Sequence, residues 1–232
     1  MSGRDVTALL AAYLLGAIPF SYIIARWRTG LNIRQVGEGN VGARNVAHVV
    51  GMKWGMLAAI LDGLKGLAAY LLARALNVPL PVLLLCGFAA VVGHDFSIFL
   101  HWQGGKGVAV SLGFLLGLLP YSTLAGVGVF GLAHLLMRDF NRSVVVGIAA
   151  VIFLPLALGY GPWMTAYTLA LFLSLAVKKI IDLPHERQVW AEHGWEGTMA
   201  RPGWYREEQN ADESRRLRSA QASGSGTKPL QG

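Results

Sequence analysis

Five apolar runs dominate the chain: Val6 to Ala25, Met52 to Leu76, Leu80 to Leu100, Val108 to Met137 and Val144 to Val177. A hydrocarbon core of about 30 Å takes roughly 20 helical residues to cross, so each run is long enough, and the last two exceed one crossing. In lipid only a helix or a closed barrel satisfies its own backbone, and runs this long and uniformly apolar are helical. The expected fold is an all-α polytopic membrane protein. Composition agrees. Of 232 residues, 54% are hydrophobic and 14% charged, whereas a soluble domain carries about 25% charged residues.

The net charge of +7 is unevenly placed. Residues 1–181 hold thirteen Lys or Arg against five Asp or Glu, and residues 182–232 hold seven against eight. An excess of basic residues between apolar runs is a topology signal and not the footprint of a nucleic-acid binder. We therefore divide the chain into a transmembrane domain (1–181), a short interfacial segment with Trp190, Trp195 and Trp204 (182–208), and a disordered Ser/Arg/Gly-rich tail (209–232). The single cysteine, Cys86, lies in an apolar run and reads as a packing residue.

Breakers set the number of crossings. Pro120-Tyr121-Ser122 and Gly159-Tyr160-Gly161-Pro162 fall near the middles of the two long runs, so each is expected to be two helices. That makes seven spans, the half-span Val108 to Leu119 being short. Seven spans place Arg26, Arg28, Arg34, Arg44, Lys53, Lys106, Arg138, Arg142, Lys178 and Lys179 on one face, which the positive-inside rule makes cytoplasmic. Five spans would put Arg138 and Arg142 outside. The expected arrangement is N-terminus out and C-terminus in. The first run is too long for a signal-peptide core and is read as a retained span.

Three polar elements fall on that same face. In Gly37-Glu38-Gly39-Asn40-Val41-Gly42-Ala43-Arg44-Asn45, glycines free the backbone to turn its N–H groups inward, while Asn40, Asn45 and Arg44 offer anion donors. A plain tight loop is the equal alternative. In Gly93-His94-Asp95-Phe96-Ser97 followed by Gly104-Gly105-Lys106-Gly107, a glycine turn opens a helix, where free amides and the positive dipole end favour phosphate. The alternative there is a glycine turn with a topology lysine and a structural His94. Asp62 and Lys65, three apart inside the second run, can pair on one helix face, most simply as a structural ion pair.

These residues, with Gly16-x-Ile18-Pro19-Phe20, resemble in order and spacing the motifs of the bacterial acyl-phosphate:glycerol-3-phosphate acyltransferases, the PlsY family, over roughly residues 10 to 180. The chain departs from that pattern where Glu38 replaces a serine, Arg44 a threonine and His48 an arginine. His185-Glu186-Arg187-Gln188 and Glu196-Gly197-Thr198 are loose counterparts of its third motif. The resemblance implies a seven-span enzyme of the bacterial cytoplasmic (inner) membrane, with the bilayer, acyl phosphate and glycerol 3-phosphate as partners and no nucleic acid. It transfers the acyl group to the 1-hydroxyl, giving lysophosphatidate for phospholipid biosynthesis. On that basis Lys106, His94 and Asn45 are the expected catalytic residues. Gly39, Asn40, Gly42, Arg44, Gly104, Gly105 and Gly107 are expected to bind substrate phosphate, with Asp62, Lys65, His48 and His185 in support. No metal-ligand spacing and no cofactor motif is evident. The alternatives are an acyltransferase of this fold with another acceptor, motivated by Glu38, Arg44 and His48, and a non-catalytic lipid-binding or transport protein.

Overall fold

A computed structural model describes residues 1–193. Among these, helices α1 (Gly3–Ala17), α2 (Phe20–Thr29), α3 (Ala43–Val49), α4 (Met52–Ala75), α5 (Leu80–Asp95), α6 (Val108–Leu118), α7 (Pro120–Met137), α8 (Phe140–Ala157) and α9 (Pro162–His193) account for the regular structure beyond two 3-10 turns, and no strand occurs. Six helical stretches are long and apolar enough to cross a membrane. The short one is α6, whose eleven residues rise about 17 Å.

The two long runs break at their breakers. Pro120 starts α7 after Leu119, and the left-handed Gly159 and Gly161 turn the chain before Pro162 starts α9. The first run, expected to be continuous, breaks as well, because Pro19 has no N–H to continue the ladder. The break frees carbonyls deep in the bundle. Ala17 O accepts from Ser97 Oγ at 2.6 Å and Ile18 O from Lys65 Nζ at 2.7 Å.

Packing follows small residues. Helix α1 lies on α5 and α4 on α6. A Cβ added at Gly16 would collide with the Ala90 backbone, one at Gly66 with Val110, and one at Gly113 with Gly63. Without a hydrophobic drive between helices in lipid, such close approach is what dispersion contacts require. Ala8, Ala12, Ala90, Phe114, Leu115 and Leu171 are buried between helices, while Leu132, Leu135, Phe153, Leu173 and Ile180 project outward as a lipid-facing surface does.

Helix α9 is 32 residues long, about 48 Å, and outruns a bilayer core. The boundary drawn at residue 181 falls inside it, and residues 182–193 continue the same helix. The remainder of the expected interfacial segment and the 209–232 tail lie outside the described residues.

Candidate active site

The first loop, between α2 and α3, is built around Asn45. Its Nδ2 donates to the carbonyls of Ile33, Val36 and Asn40 at 2.9, 3.0 and 2.9 Å, and its Oδ1 accepts from Glu38 N at 2.8 Å. Every polar atom of this fully buried amide is thus spent on the loop itself. Gly37 (φ 60°) and Gly39 (φ 68°) adopt left-handed conformations, and a Cβ on Gly39 would press on Val189 at 3.1 Å. The loop therefore lies flat beneath α9. Asn40 donates to Glu38 O at 3.3 Å and to Glu186 Oε1 at 3.4 Å.

The three departures from the family pattern touch one another. Glu38 Oε1 lies 2.8 Å from Arg44 Nε and 3.0 Å from His48 Nδ1. Arg44 also donates to Asn141 Oδ1 at 2.5 Å and stacks over the Phe140 ring. Burial alone would raise the Glu38 pKa. The His48 hydrogen bond and the charges of Arg44 and Lys106 outweigh it and hold the carboxyl at about 2. The carboxylate is therefore charged at neutral pH and already neutralised by its neighbours.

The second loop leaves the end of α5 and returns against it. Gly104 N donates to Asp95 O at 3.1 Å and Gly105 N to His94 O at 3.0 Å. These two amides, expected to cradle phosphate, are committed to the loop's own fold. The glycines serve close packing: a Cβ at Gly105 would run into His94 Nε2 and Val41 O. Gly107 (φ 66°) takes the left-handed turn into α6, and Gly42 caps α3.

Lys106 extends from this loop to Glu186 Oε1 at 2.8 Å, and Lys179 pairs with the other carboxylate oxygen. Burial lowers the Lys106 pKa and Lys179 repels its charge, while Glu186 and Glu38 oppose the shift.

Deeper in the bundle, Lys65 Nζ lies 3.0 Å from Asp62 Oδ1 and 2.9 Å from His94 Nδ1, and Ser21 Oγ donates to Asp62 at 3.2 Å. With the Lys65 ammonium donating, His94 Nδ1 is the acceptor and its hydrogen sits on Nε2, facing Gly105. The expected Asp62–Lys65 pair is formed, and His94 links it to the second loop.

A cavity of about 230 Å³ opens between the two loops and α9, with Gly39, Asn40, Gly104 and His185 in its wall. Arg34, Gln103, Lys178 and Asp182 complete its polar lining, and Phe96, Trp102 and Ile181 its apolar side. Arg34 is held by Leu100 O at 3.2 Å and Gln103 Oε1 at 3.1 Å, and its own carbonyl meets His185 Nε2 at 3.0 Å. Lys178 pairs with Asp182 and lies over the Phe96 ring. Arg34, Lys178, Asp182 and Glu186 are not among the site residues expected from the sequence, where Arg34 and Lys178 stand as topology charges and Glu186 in a loose counterpart of the third motif. Their signal was a polar stripe of helical period just past the last apolar run, together with the basic residue ahead of the first glycine loop.

An all-helical bundle with six apolar, membrane-length helices, whose two glycine loops, far apart in sequence, meet the charged stretch of α9 around a polar cavity, defines an integral membrane protein with a polar site at one end of its helices. The profile of the glycerol-3-phosphate acyltransferase family matches residues 6–186. The chain belongs to that family. Glycerol-3-phosphate acyltransferase 2 of Moorella thermoacetica is 36% identical over 79% of this chain and 93% of its own. Glycerol-3-phosphate acyltransferase 5 of Dehalococcoides mccartyi is 39% identical over 69% and 67%. Among solved structures, PlsY (YgiH), an integral membrane glycerol 3-phosphate acyltransferase crystallised in its glycerol 3-phosphate form, superposes with a TM-score of 0.68 at 32% identity, covering 80% of this chain and 94% of that one. Its lysophosphatidic acid form gives 0.67 at 29% identity, with the same coverage.

Proposed function

We infer that this protein moves an acyl group from acyl phosphate to the 1-hydroxyl of glycerol 3-phosphate, releasing phosphate and making lysophosphatidate. One observation carries the reading: Asn40, Gly104 and His185 meet around a single polar cavity, and Lys106 stands beside them at the start of α6. Lys106 and the free first-turn amides of α6 hold the donor phosphate, which leaves as the acyl C–O bond breaks. Arg34, Gln103, Lys178 and His185 receive the small acceptor in the cavity, and its hydroxyl oxygen forms the new ester bond. The hydroxyl proton passes to a phosphate oxygen. His94, through Nε2, supports the second loop and the developing oxyanion from below. Asn45 shapes the first loop, its donors being spent there. Cys86 is buried among the helices, in keeping with direct transfer and no acyl-enzyme.

Glycerol 3-phosphate is favoured as acceptor because the Glu38 carboxylate is already met by Arg44 and His48 and does not stand open to repel a dianion. The decisive assay incubates the purified protein with long-chain acyl phosphate and either glycerol 3-phosphate or neutral glycerol. Lysophosphatidate is expected from the first and negligible product from the second. Equal acylation of both would exclude the assigned acceptor.

The same reading puts the site on the cytoplasmic side, with seven crossings and α6 as a short seventh helix. The support is that Arg34, Arg44, Lys53, Lys106, Arg138 and Lys179 then share the cytoplasmic face. A cysteine at position 138 in a Cys86→Ala background is expected to resist a membrane-impermeant maleimide in intact cells and to react in inverted vesicles. Labelling in intact cells would require a different number of spans.

A further inference from the structure

Glu186 takes no part in the chemistry above, yet its carboxylate is 0% exposed and is gripped from three directions. Lys106 comes from the second loop, Asn40 from the first, and Lys179 from one side of α9 itself. The packing is equally close, since the Glu186 Cα lies 3.4 Å from where a Cβ on Gly39 would stand. A side chain buried to this degree while charged survives only with partners that neutralise it, and those partners are in turn fixed by it. Lys106, which leads phosphate recognition, and Asn40, in the cavity wall, thus hang from the same carboxylate.

We propose that Glu186 is the positioning residue of the phosphate site: its carboxylate fixes the Lys106 ammonium beside the Asn40 amide at the edge of the cavity, so that the ammonium meets the phosphate from one set direction. Resting on the acyl-phosphate acyltransferase reading, this extends it to a residue outside the chemical step. A second consequence is electrostatic. The charged groups facing Lys106 are Glu186 and Lys179 on α9 and Glu38 on the first loop, the last shared with Arg44 and His48. Burial and Lys179 favour the neutral amine, and Glu186 is the carboxylate in direct contact that favours the ammonium. A neutral amine cannot hold a phosphate dianion, so Glu186 sets how far into alkaline pH the site still works.

The test uses Glu186→Gln, which keeps shape and hydrogen-bonding atoms but removes the charge, and Glu186→Asp, which restores the charge. The pH profile of kcat/KM for acyl phosphate is expected to lose its alkaline limb earlier in Glu186→Gln. A displacement of one pH unit gives about a tenfold deficit above the limb and a much smaller one below it. Glu186→Asp is expected to regain most of the limb, which a purely steric role for the side chain would not produce. A second readout does not depend on turnover. Competitive acetylation of Lys106 across pH, followed by mass spectrometry, is expected to find it reactive at lower pH in Glu186→Gln than in the wild type. Identical Lys106 reactivity curves would overturn the proposal. Absence of wild-type turnover with acyl phosphate would instead overturn the functional reading, and the labelling curves would still decide the role of Glu186. Should Glu186→Gln not fold, Lys179→Met serves: with one repelling ammonium gone and the carboxylate undivided, Lys106 is expected to react only at higher pH, and the opposite displacement counts against the proposal.

Discussion

Lys106→Ala is expected to lower kcat/KM for acyl phosphate by about 10²- to 10³-fold, the usual cost of deleting one electrostatic donor from a site where charge develops. The effect is expected in chemistry and binding but not in folding. Lys106 is a quarter exposed, and its removal does not orphan Glu186, because Lys179 and Asn40 still contact that carboxylate. Membrane yield and thermal unfolding in detergent are therefore expected to stay near wild type. Turnover close to wild type in Lys106→Ala would remove it from the phosphate site.

Lys65→Met is expected to do the reverse and act chiefly on stability. It strips Asp62 of its cation in a part of the bundle where both side chains are 2% exposed, and it deprives the Ile18 carbonyl and His94 Nδ1 of their donor. Breaking a buried pair by removing one partner costs about 3–5 kcal/mol, since the remaining charge is left uncompensated. Thermal unfolding in detergent measures the loss. Replacing both partners, as Asp62→Leu with Lys65→Met, is expected to recover part of the stability, because no lone charge then remains. Activity is not expected to return with it, since His94 loses the donor that fixes its ring. A single Lys65→Met variant as stable as wild type would show that Asp62 finds its neutralisation elsewhere.

The helices were largely legible because lipid allows so few solutions, and because Pro120 and Gly159–Pro162 mark two breaks with residues that cannot continue a helix. Pro19 carries the same information, yet it sits inside a run apolar on both sides, and it is Ser97 and Lys65, which donate to the freed carbonyls, that offset the break. In the site, residue types indicate which loops carry the polar side chains, while the partners each side chain takes are set by the fold. Asn45 is in place, but the three carbonyls it binds come from a loop conformation that spacing does not encode. The amides of Gly104 and Gly105 are spent for a similar reason: the chain doubles back on the end of α5. Glu38, Arg44 and His48 read as three separate oddities until side-chain geometry joined them.

That last cluster constrains how such a loop can be exchanged between relatives. Glu38 grafted alone into a serine-bearing loop would arrive without Arg44 and opposite an arginine in place of His48, and Arg44 grafted alone would arrive without its carboxylate. Each single step leaves a charge without the partner it has in this chain, while the finished set is balanced. The three positions therefore form one electrostatic unit, and Asn141, which takes up the far end of Arg44, ties the start of α8 to it. Chimeras between family members should be cut so that residues 38–48 and the first turn of α8 travel together.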